Sequence, residues 1–309
     1  MLEPAVIVLR LMQYVGAMIL MGSSLFFLYA HSDTSRAAGP PVPSAQRLIA
    51  AAAGLLALAS AFGLLAQTSV MAGSIAEGLK LQSLQAVTTG MDLGKAGVVR
   101  IAAAVLALVI VLGLRQGRFS WALLALLGAI ATASFAWSGH AAATEGAGKA
   151  VHLVSDIAHG WAAAVWIGAL VAFFLLLRPR TLGSASATAL HGALHGFAGL
   201  GTVLVAVLIA TGLVNSWLLV GPDRIEGLVT TPYGRLLSLK VLLFAAMLVL
   251  AALNRFRLTP GLGRVLATPD SQVAALAALR KSVAIETAVG VAVLALVAWF
   301  GTLAPPSAV

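Results

Sequence analysis

Two histidines and an aspartate stand at helical spacing in one apolar stretch of the chain. His152, Asp156 and His159 are separated by four and then three residues, so a helix carries all three on one face. Trp166 continues this stripe seven residues further along. Imidazole is a ligand for copper, zinc, nickel and iron, and the intervening carboxylate can bind metal or fix a ring tautomer. The stripe predicts a metal or cofactor site at His159, with a hydrogen-bonded core histidine as the alternative.

Further metal donors come from neighbouring segments. His140 ends the sequence WSGH just after the preceding apolar stretch, and we expect it to enter the same layer as a third nitrogen donor. Thioether sulfur favours Cu(I), which makes Met18 and Met21 in the first apolar stretch candidate ligands. Methionine is also a common filler of apolar helices, so packing is the alternative for both.

Single cations also occur inside apolar stretches. An ionisable residue at membrane depth usually faces the bundle interior or a water-filled cavity. We interpret Arg10, Arg100 and Lys240 as partners of Asp156 or of acidic loop residues, with direct contact to a substrate as the alternative.

A carboxylate near the end of the chain has two candidate partners. Asn254 and Arg255 close the seventh apolar stretch, and Glu286 lies in the eighth. Because an antiparallel hairpin brings these ends together, we expect an Asn254–Glu286 or Arg255–Glu286 contact, structural first and a proton or ion relay second. His191 and His195 are four residues apart, and we interpret them as a solvated interfacial pair rather than an exit site.

The elements that position these residues must be membrane-spanning helices. Hydrophobic residues make up 61% of the 309 positions and charged residues 9%, and the mean hydropathy is +1.02. A helix needs about 20 apolar residues to cross a hydrocarbon core of roughly 30 Å. We predict one all-α membrane domain over residues 1–309 with eight helices, at about 5–30, 46–67, 93–114, 119–137, 151–177, 196–220, 234–256 and 279–303.

The orientation of this bundle follows from its loop charges. Lys and Arg are retained on the cytoplasmic side of membrane proteins. The loops after the odd-numbered helices carry Arg36, Arg47, Arg115, Arg118, Arg178, Arg180, Arg255, Arg257, Arg264, Arg280 and Lys281. The opposite loops mix a few cations with more acids. We therefore predict that both termini and the polar helix halves face outwards, which is the periplasm in a bacterium.

Several classes of function are excluded. The net charge of +9 would suggest nucleic acid in a soluble protein, but these cations flank apolar runs and act as topology signals. The chain has no cysteine, and therefore no disulfide, thiolate ligand or cysteine nucleophile. Phosphate-binding glycine loops, HExxH and a serine nucleophile elbow are also missing. We expect neither an enzyme nor an ATP-driven pump.

An ordered series of short motifs resembles the bacterial copper resistance protein D family (CopD/PcoD). The resemblance covers about residues 137–309, and the first four helices match in layout. The motifs are Ser138-Gly139-His140-Ala141, His159 with Ala162-Ala163-Ala164-Val165-Trp166-Ile167-Gly168, Thr211-Gly212 with Asn215, Thr231 with Tyr233-Gly234-Arg235 and Lys240, Asn254-Arg255-Phe256, Glu286 and Pro305-Pro306.

This resemblance implies an inner-membrane protein linked to copper uptake from the periplasm, with a soluble periplasmic copper carrier of the CopC type as partner. It implies a periplasm-facing copper site for which His140, His152 and His159 are candidates. The competing hypothesis is a haem-binding, b-type cytochrome-like oxidoreductase, since histidines facing each other across helices ligate haem iron. A sensor or assembly partner that transports nothing is a third hypothesis.

Overall fold

The structure is a computed structural model that describes residues 3–32, 42–139, 146, 148–178 and 182–308. Eight of its helices are long and apolar enough to cross a membrane, and no strand occurs among the described residues. The predicted all-α bundle is confirmed. The helices are α1 (Glu3–Met18, continued by the π-helical Ile19–Ser23 and by Ser24–Ser32), α2 (Val42–Met71), α3 (Asp92–Gly113), α4 (Arg118–Ala133, continued by the 3-10 turn Ser134–Ser138), α5 (Gly148–Leu176), α6 (Ser184–Val220), α7 (Pro232–Leu253, continued by the π-helical Asn254–Leu258 and by Thr259–Arg264) and α8 (Pro269–Phe300).

Shorter helices lie in the connections between these eight. They are Ile75–Gly78, Leu81–Gly90 and Gly227–Thr230, with a 3-10 turn at Pro222–Arg224. A further 3-10 turn, Pro306–Ala308, follows α8.

Two helices begin well before the predicted residues. α6 starts at Ser184 instead of 196, and α8 starts at Pro269 instead of 279. Apolar runs locate the part of a helix in hydrocarbon, whereas backbone hydrogen bonding continues into the polar residues beyond it. His191 and His195 therefore lie within α6 rather than at its entrance.

The chain between α6 and α7 is shaped by local residue preferences. Gly221 ends α6 with a φ of +79°, a backbone conformation that glycine adopts without steric cost. Thr231 caps α7, its hydroxyl accepting a hydrogen bond from the amide of Gly234 at 3.0 Å. Pro232 occupies the first turn of α7, where a missing N–H costs nothing. These residues fix where α7, which carries Lys240, enters the bundle.

The helix α1 lies at the centre of the bundle, in contact with α2, α4, α5 and α8. Glycines permit its close approach to α5: a Cβ added at Gly22 would overlap the backbone of Ala164, and one added at Gly168 would overlap Gly22. The hydroxyl of Ser23 donates to the carbonyl of Gly168 at 2.8 Å. Small residues and polar contacts of this kind drive helix association where no water is present.

The two ends of the chain meet at one side of the bundle. The guanidinium of Arg10 in α1 donates to the carbonyl oxygen of Gly301, just after α8, at 3.1 Å. Both termini therefore share a side, as an even number of crossings requires. Which side of a membrane this is remains the prediction from loop charges.

Candidate functional site

The polar stripe of α5 lines one internal cavity. His152, Asp156, His159 and Trp166 all border a space of about 390 Å³ between α1, α4, α5, α6, α7 and α8. His152 is 1% exposed, and the other three are buried or half-buried. The predicted common face of these residues is confirmed, and we call this space the histidine cavity.

The ring of His159 is held by α6. Its Nδ1 lies 2.9 Å from the hydroxyl oxygen of Thr211, and that hydroxyl donates its own proton to the carbonyl of Val207 at 2.6 Å. With its proton on Val207, the Thr211 hydroxyl can accept from Nδ1–H, and in that tautomer Nε2 keeps its lone pair for a metal ion. Metal-binding histidines are oriented in this way, with one nitrogen donating to a neighbour and the other on the metal.

His140 lies outside the described residues. The residue before it, Gly139, lines the histidine cavity, and a Cβ added there would lie 3.9 Å from the carboxylate oxygen of Asp156. Among the described residues, no group of three or more His, Cys, Asp and Glu side chains is placed to hold a metal ion. His152, Asp156 and His159 are all described, so the structure does not bring these three side chains together as one metal-binding group.

The two methionines predicted as thioether ligands differ in position. Met18 lines the histidine cavity, whereas Met21 is not among the residues described as lining it. The backbone of Met21 instead lies against α4, where a Cβ on Gly128 would come within 2.5 Å of its amide nitrogen. Met247 of α7 is a cavity-lining thioether that sequence reasoning missed, because nothing in the spacing of α7 distinguishes it from packing residues.

The described hydrogen bonds of the cations Arg10 and Arg100 go to groups other than carboxylates. Arg100 is 5% exposed and donates to Gln13 at 2.6 Å, Ser134 at 2.9 Å and Ser138 at 3.2 Å. Its guanidinium also lies over the ring of Phe135, 3.8 Å from the centroid. We expected an acidic partner, but the described hydrogen bonds of this charge go to neutral oxygens. Arg100 therefore connects α1, α3 and the end of α4.

Arg10 and Lys240 both line the histidine cavity. Arg10 donates to the hydroxyl of Tyr14 at 3.2 Å as well as to Gly301, and the expected acidic partner is not among its described hydrogen bonds. The ammonium of Lys240 lies 5.7 Å from the centroid of the Phe300 ring, within the range of a cation–π contact. Lys240 also interacts electrostatically with Asp156, the acidic partner expected from the sequence. The cavity thus combines cationic, carboxylate, aromatic and imidazole groups.

Tyr14 and Asn215 are two further lining residues that the site prediction missed. The side-chain oxygen Oδ1 of Asn215 is buried and has no hydrogen-bond partner among the described residues. In the sequence, Asn215 lies four residues after Thr211 on the same face of α6. That spacing was the available signal for a polar α6 face opposite His159.

A second cavity of about 270 Å³ lies on the other side of Trp166. It is bordered by α5, α6, α7 and α8, and we call it the glutamate cavity because it contains Glu286. Trp166 lines both cavities. Its indole N–H donates to Oε1 of Glu286 at 2.9 Å. This bond lies where the walls of the two cavities meet.

The predicted Asn254–Glu286 contact is present, with Nδ2 of Asn254 donating to Oε2 of Glu286 at 2.8 Å. Arg255 turns away from Glu286, donating to the hydroxyl of Thr202 at 2.5 Å and to the carbonyl of Ala198 at 3.1 Å. Asn254 opens a π-helical turn of α7, a distortion common at functional sites.

His191 and His195 are stacked, with ring centroids 6.2 Å apart and an interplanar angle of 19°. Neither is among the residues described as lining the two cavities. A Cβ added at Gly263 would come within 2.7 Å of Nε2 of His191, so this ring packs against the end of α7.

Comparison with known families gives two matches that together cover most of the chain. A family model described as "Copper resistance protein D-like, N-terminal domain" matches residues 1–151, and one described as "Copper resistance protein D" matches residues 191–300. The likeness therefore includes the first four helices, which the sequence motifs had matched in layout only.

Three curated proteins are similar to the chain. Copper resistance protein D of Pseudomonas syringae pv. tomato is 36% identical over 98% of this chain and 97% of its own length. Copper transport protein CutJ of Bacillus subtilis (strain 168) is 30% identical over 65% of this chain and 35% of its own length. Inner membrane protein YebZ of Escherichia coli (strain K12) is 31% identical over 58% of this chain and 59% of its own length. No solved structure matches significantly.

Proposed function

Because the chain belongs to the copper resistance protein D family, we propose that it accepts copper in the histidine cavity and imports it through the helix bundle. Copper handling by a multi-pass membrane protein is common to the family, and the names of the relatives describe resistance and transport rather than enzymes. The expectation that the chain is not an enzyme agrees with those names. Copper is the cargo in this proposal.

The observation that carries the proposal is the orientation of His159. The Thr211 hydroxyl lies 2.9 Å from Nδ1 of this half-buried ring, which suits the tautomer in which Nδ1–H donates to Thr211 and Nε2 binds the metal. Imidazole binds both oxidation states of copper found in proteins, and thioether sulfur selects Cu(I). Copper would enter between His140, His152 and His159, with Asp156 orienting a ring and Met18 binding the ion deeper in the cavity.

The loop charges support the proposed orientation in the membrane, and the resemblance to a family linked to copper uptake supports import as the direction. The predicted orientation opens the histidine cavity towards the periplasm and the glutamate cavity towards the cytoplasm of a bacterial inner membrane. A soluble periplasmic carrier of the CopC type would then deliver copper at the side where α1 and α8 meet. During import, copper would meet the entrance histidines before it reaches Trp166.

Copper binding and uptake test this proposal together. The purified full chain is titrated with Cu(I) against a competing chelator, and copper accumulation is measured in cells that express it. We expect His159→Ala to weaken binding by about tenfold or more and to reduce accumulation. His195→Ala is the matched control, because it removes an imidazole outside the described cavity walls. Unchanged affinity and accumulation in His159→Ala would contradict the proposed entrance.

A visible absorption spectrum separates this function from haem binding. Two-histidine ligation of haem needs imidazoles from facing helices, and the histidines described in the cavity wall, His152 and His159, both belong to α5. A Soret band at one haem per chain in the protein as purified would overturn the copper assignment. We expect no such band.

A further inference from the structure

Glu286 lies at the boundary between the two cavities. It is 2% exposed, its Oε1 accepts from the indole N–H of Trp166, and its Oε2 accepts from Nδ2 of Asn254. Trp166 lines both cavities, whereas Glu286 and Asn254 line the glutamate cavity. An ion that moved between the cavities at Trp166 would come close to this carboxyl group.

Within the described part of the chain, no Lys, Arg or His forms an ion pair with Glu286. The ion pairs among the described residues are Lys80–Glu77 and Lys95–Asp92, and both lie in the connections or at a helix end. Arg255 shares the glutamate cavity, but its described bonds go to Thr202 and Ala198. An isolated carboxylate at membrane depth is costly, so Glu286 requires either a proton or a passing cation.

Asn254 is suited to both protonation states of its neighbour. Its Oδ1 is buried without a hydrogen-bond partner in the described part of the chain. The oxygen and nitrogen of an amide exchange places by a half-turn, and the two orientations are distinguished only by their hydrogen bonds. When Nδ2 faces Oε2, it donates a hydrogen bond to the carboxylate. When Oδ1 faces Oε2, it accepts a hydrogen bond from the O–H of the carboxylic acid. Trp166, which only donates, remains on Oε1 in either state.

We propose that Glu286 is a proton-binding site that opens to the glutamate cavity and carries its proton on Oε2. The coupling of this site to transport rests on the proposed copper function. When copper passes Trp166, the O–H bond of Glu286 breaks and its proton moves to water in the glutamate cavity. The carboxylate that remains balances one positive charge of the ion. The proton returns from the same cavity when the ion leaves, so no proton crosses the membrane.

The surroundings of Glu286 leave few other groups that can titrate. Among the described residues that line the glutamate cavity, the other charged side chain is Arg255, and arginine keeps its proton. α5 contributes Trp166 and α6 contributes Thr202, neither of which titrates. The charged and titratable groups of the histidine cavity lie beyond Trp166, namely Arg10, Tyr14, His152, Asp156, His159, Tyr233 and Lys240.

The proton site is tested without copper. Infrared difference spectra of the full chain in lipid are recorded as the pH is changed, and the carbonyl stretch of a protonated carboxylic acid is followed. We expect a pH-dependent band in the wild type and in the control Glu226→Gln, which alters an exposed loop carboxylate. The band should vanish in Glu286→Gln. A wild-type spectrum identical to that of Glu286→Gln at every pH overturns the proposal.

A second variant covers the case in which Glu286→Gln does not fold. Asn254→Leu removes the amide partner while the carboxyl stays in place. We expect the band to shift in frequency, because the acid O–H loses its acceptor. A band at the wild-type position overturns the assignment to Glu286.

Coupling is tested in liposomes with the pH varied only on the side of the glutamate cavity. We expect the wild-type copper flux to change with this pH. In Glu286→Gln we expect the flux to fall by about tenfold or more, with copper affinity at the histidine cavity within about twofold of the wild type. Equal flux in both proteins overturns the coupling. A wild type that carries no copper overturns the proposed function, whereas the infrared band decides the proton site independently.

Discussion

The indole N–H of Trp166 donates to Glu286 over 2.9 Å, a bond that joins residues 120 positions apart and separates the two cavities. α5 supplies the donor and α8 the acceptor. The tryptophan ring is the common wall, because it borders both spaces. This pair therefore lies at the boundary between the two cavities.

Replacing Trp166 by phenylalanine tests the contribution of this bond to stability. Trp166→Phe keeps a ring but leaves Oε1 of Glu286 without a donor, which we expect to lower the free energy of unfolding by about 1–3 kcal/mol. Trp161→Phe is the matched control, because its indole donates to the carbonyl of Ala129 at 2.9 Å from an exposed position. Thermal unfolding of both variants in the same detergent measures the difference. Equal losses would show that the buried bond has no special role.

The hydroxyl of Thr211 is a polar group in contact with Nδ1 of His159. Thr211→Val conserves shape and removes this contact, so we expect Cu(I) affinity to fall by about 10–100-fold. Thr230→Val serves as control, since Thr230 is exposed and bonds only its own helix turn. Competition titrations measure both affinities. If Thr211→Val binds copper as tightly as the wild type, the proposed orientation of His159 does not govern binding.

The crossing of α1 and α5 depends on Gly22. In Gly22→Ala the new methyl group overlaps the backbone of Ala164, and we expect a loss of about 1–3 kcal/mol or more from this overpacking. Gly54→Ala has open space around it and should be neutral or slightly stabilising, because alanine is the better helix former. Size-exclusion profiles and unfolding midpoints report the result. The same response from both glycines would argue against tight packing at Gly22.

Arg100 joins three helices through neutral oxygens. Arg100→Lys replaces a planar fork of donors by one ammonium, which cannot reach Gln13, Ser134 and Ser138 together. We expect a loss of about 1–3 kcal/mol, whereas Arg118→Lys at an exposed helix start should change little. Chemical or thermal unfolding measures the stability of both variants. Arg100→Lys with wild-type stability would mean that these bonds contribute little to the bundle.

Local patterns in the sequence were sufficient to predict the eight helices and the common face of the polar residues in α5. Apolar runs locate eight crossings, and the spacing of His152, Asp156 and His159 places them on one face. The Asn254–Glu286 contact could also be predicted, because the ends of adjacent antiparallel helices meet.

Contacts between distant helices were beyond the sequence. The bond of Trp166 to Glu286 and the presence of Met247 in the cavity wall depend on how α5, α7 and α8 cross, which periodicity within one helix does not encode. The partners of Arg100 could not be predicted either. A lone cation in an apolar run does not reveal whether its partner is an acid or a set of hydroxyl and amide oxygens.

The contact between Arg10 and Gly301 has a consequence for biosynthesis. α1 is translated before α8, and both form walls of the histidine cavity. A chain translated only as far as α7 therefore has an open groove where the cavity will be. The cavity closes when α8 docks against α1, so a nascent chain cannot enclose a metal ion before α8 has been made.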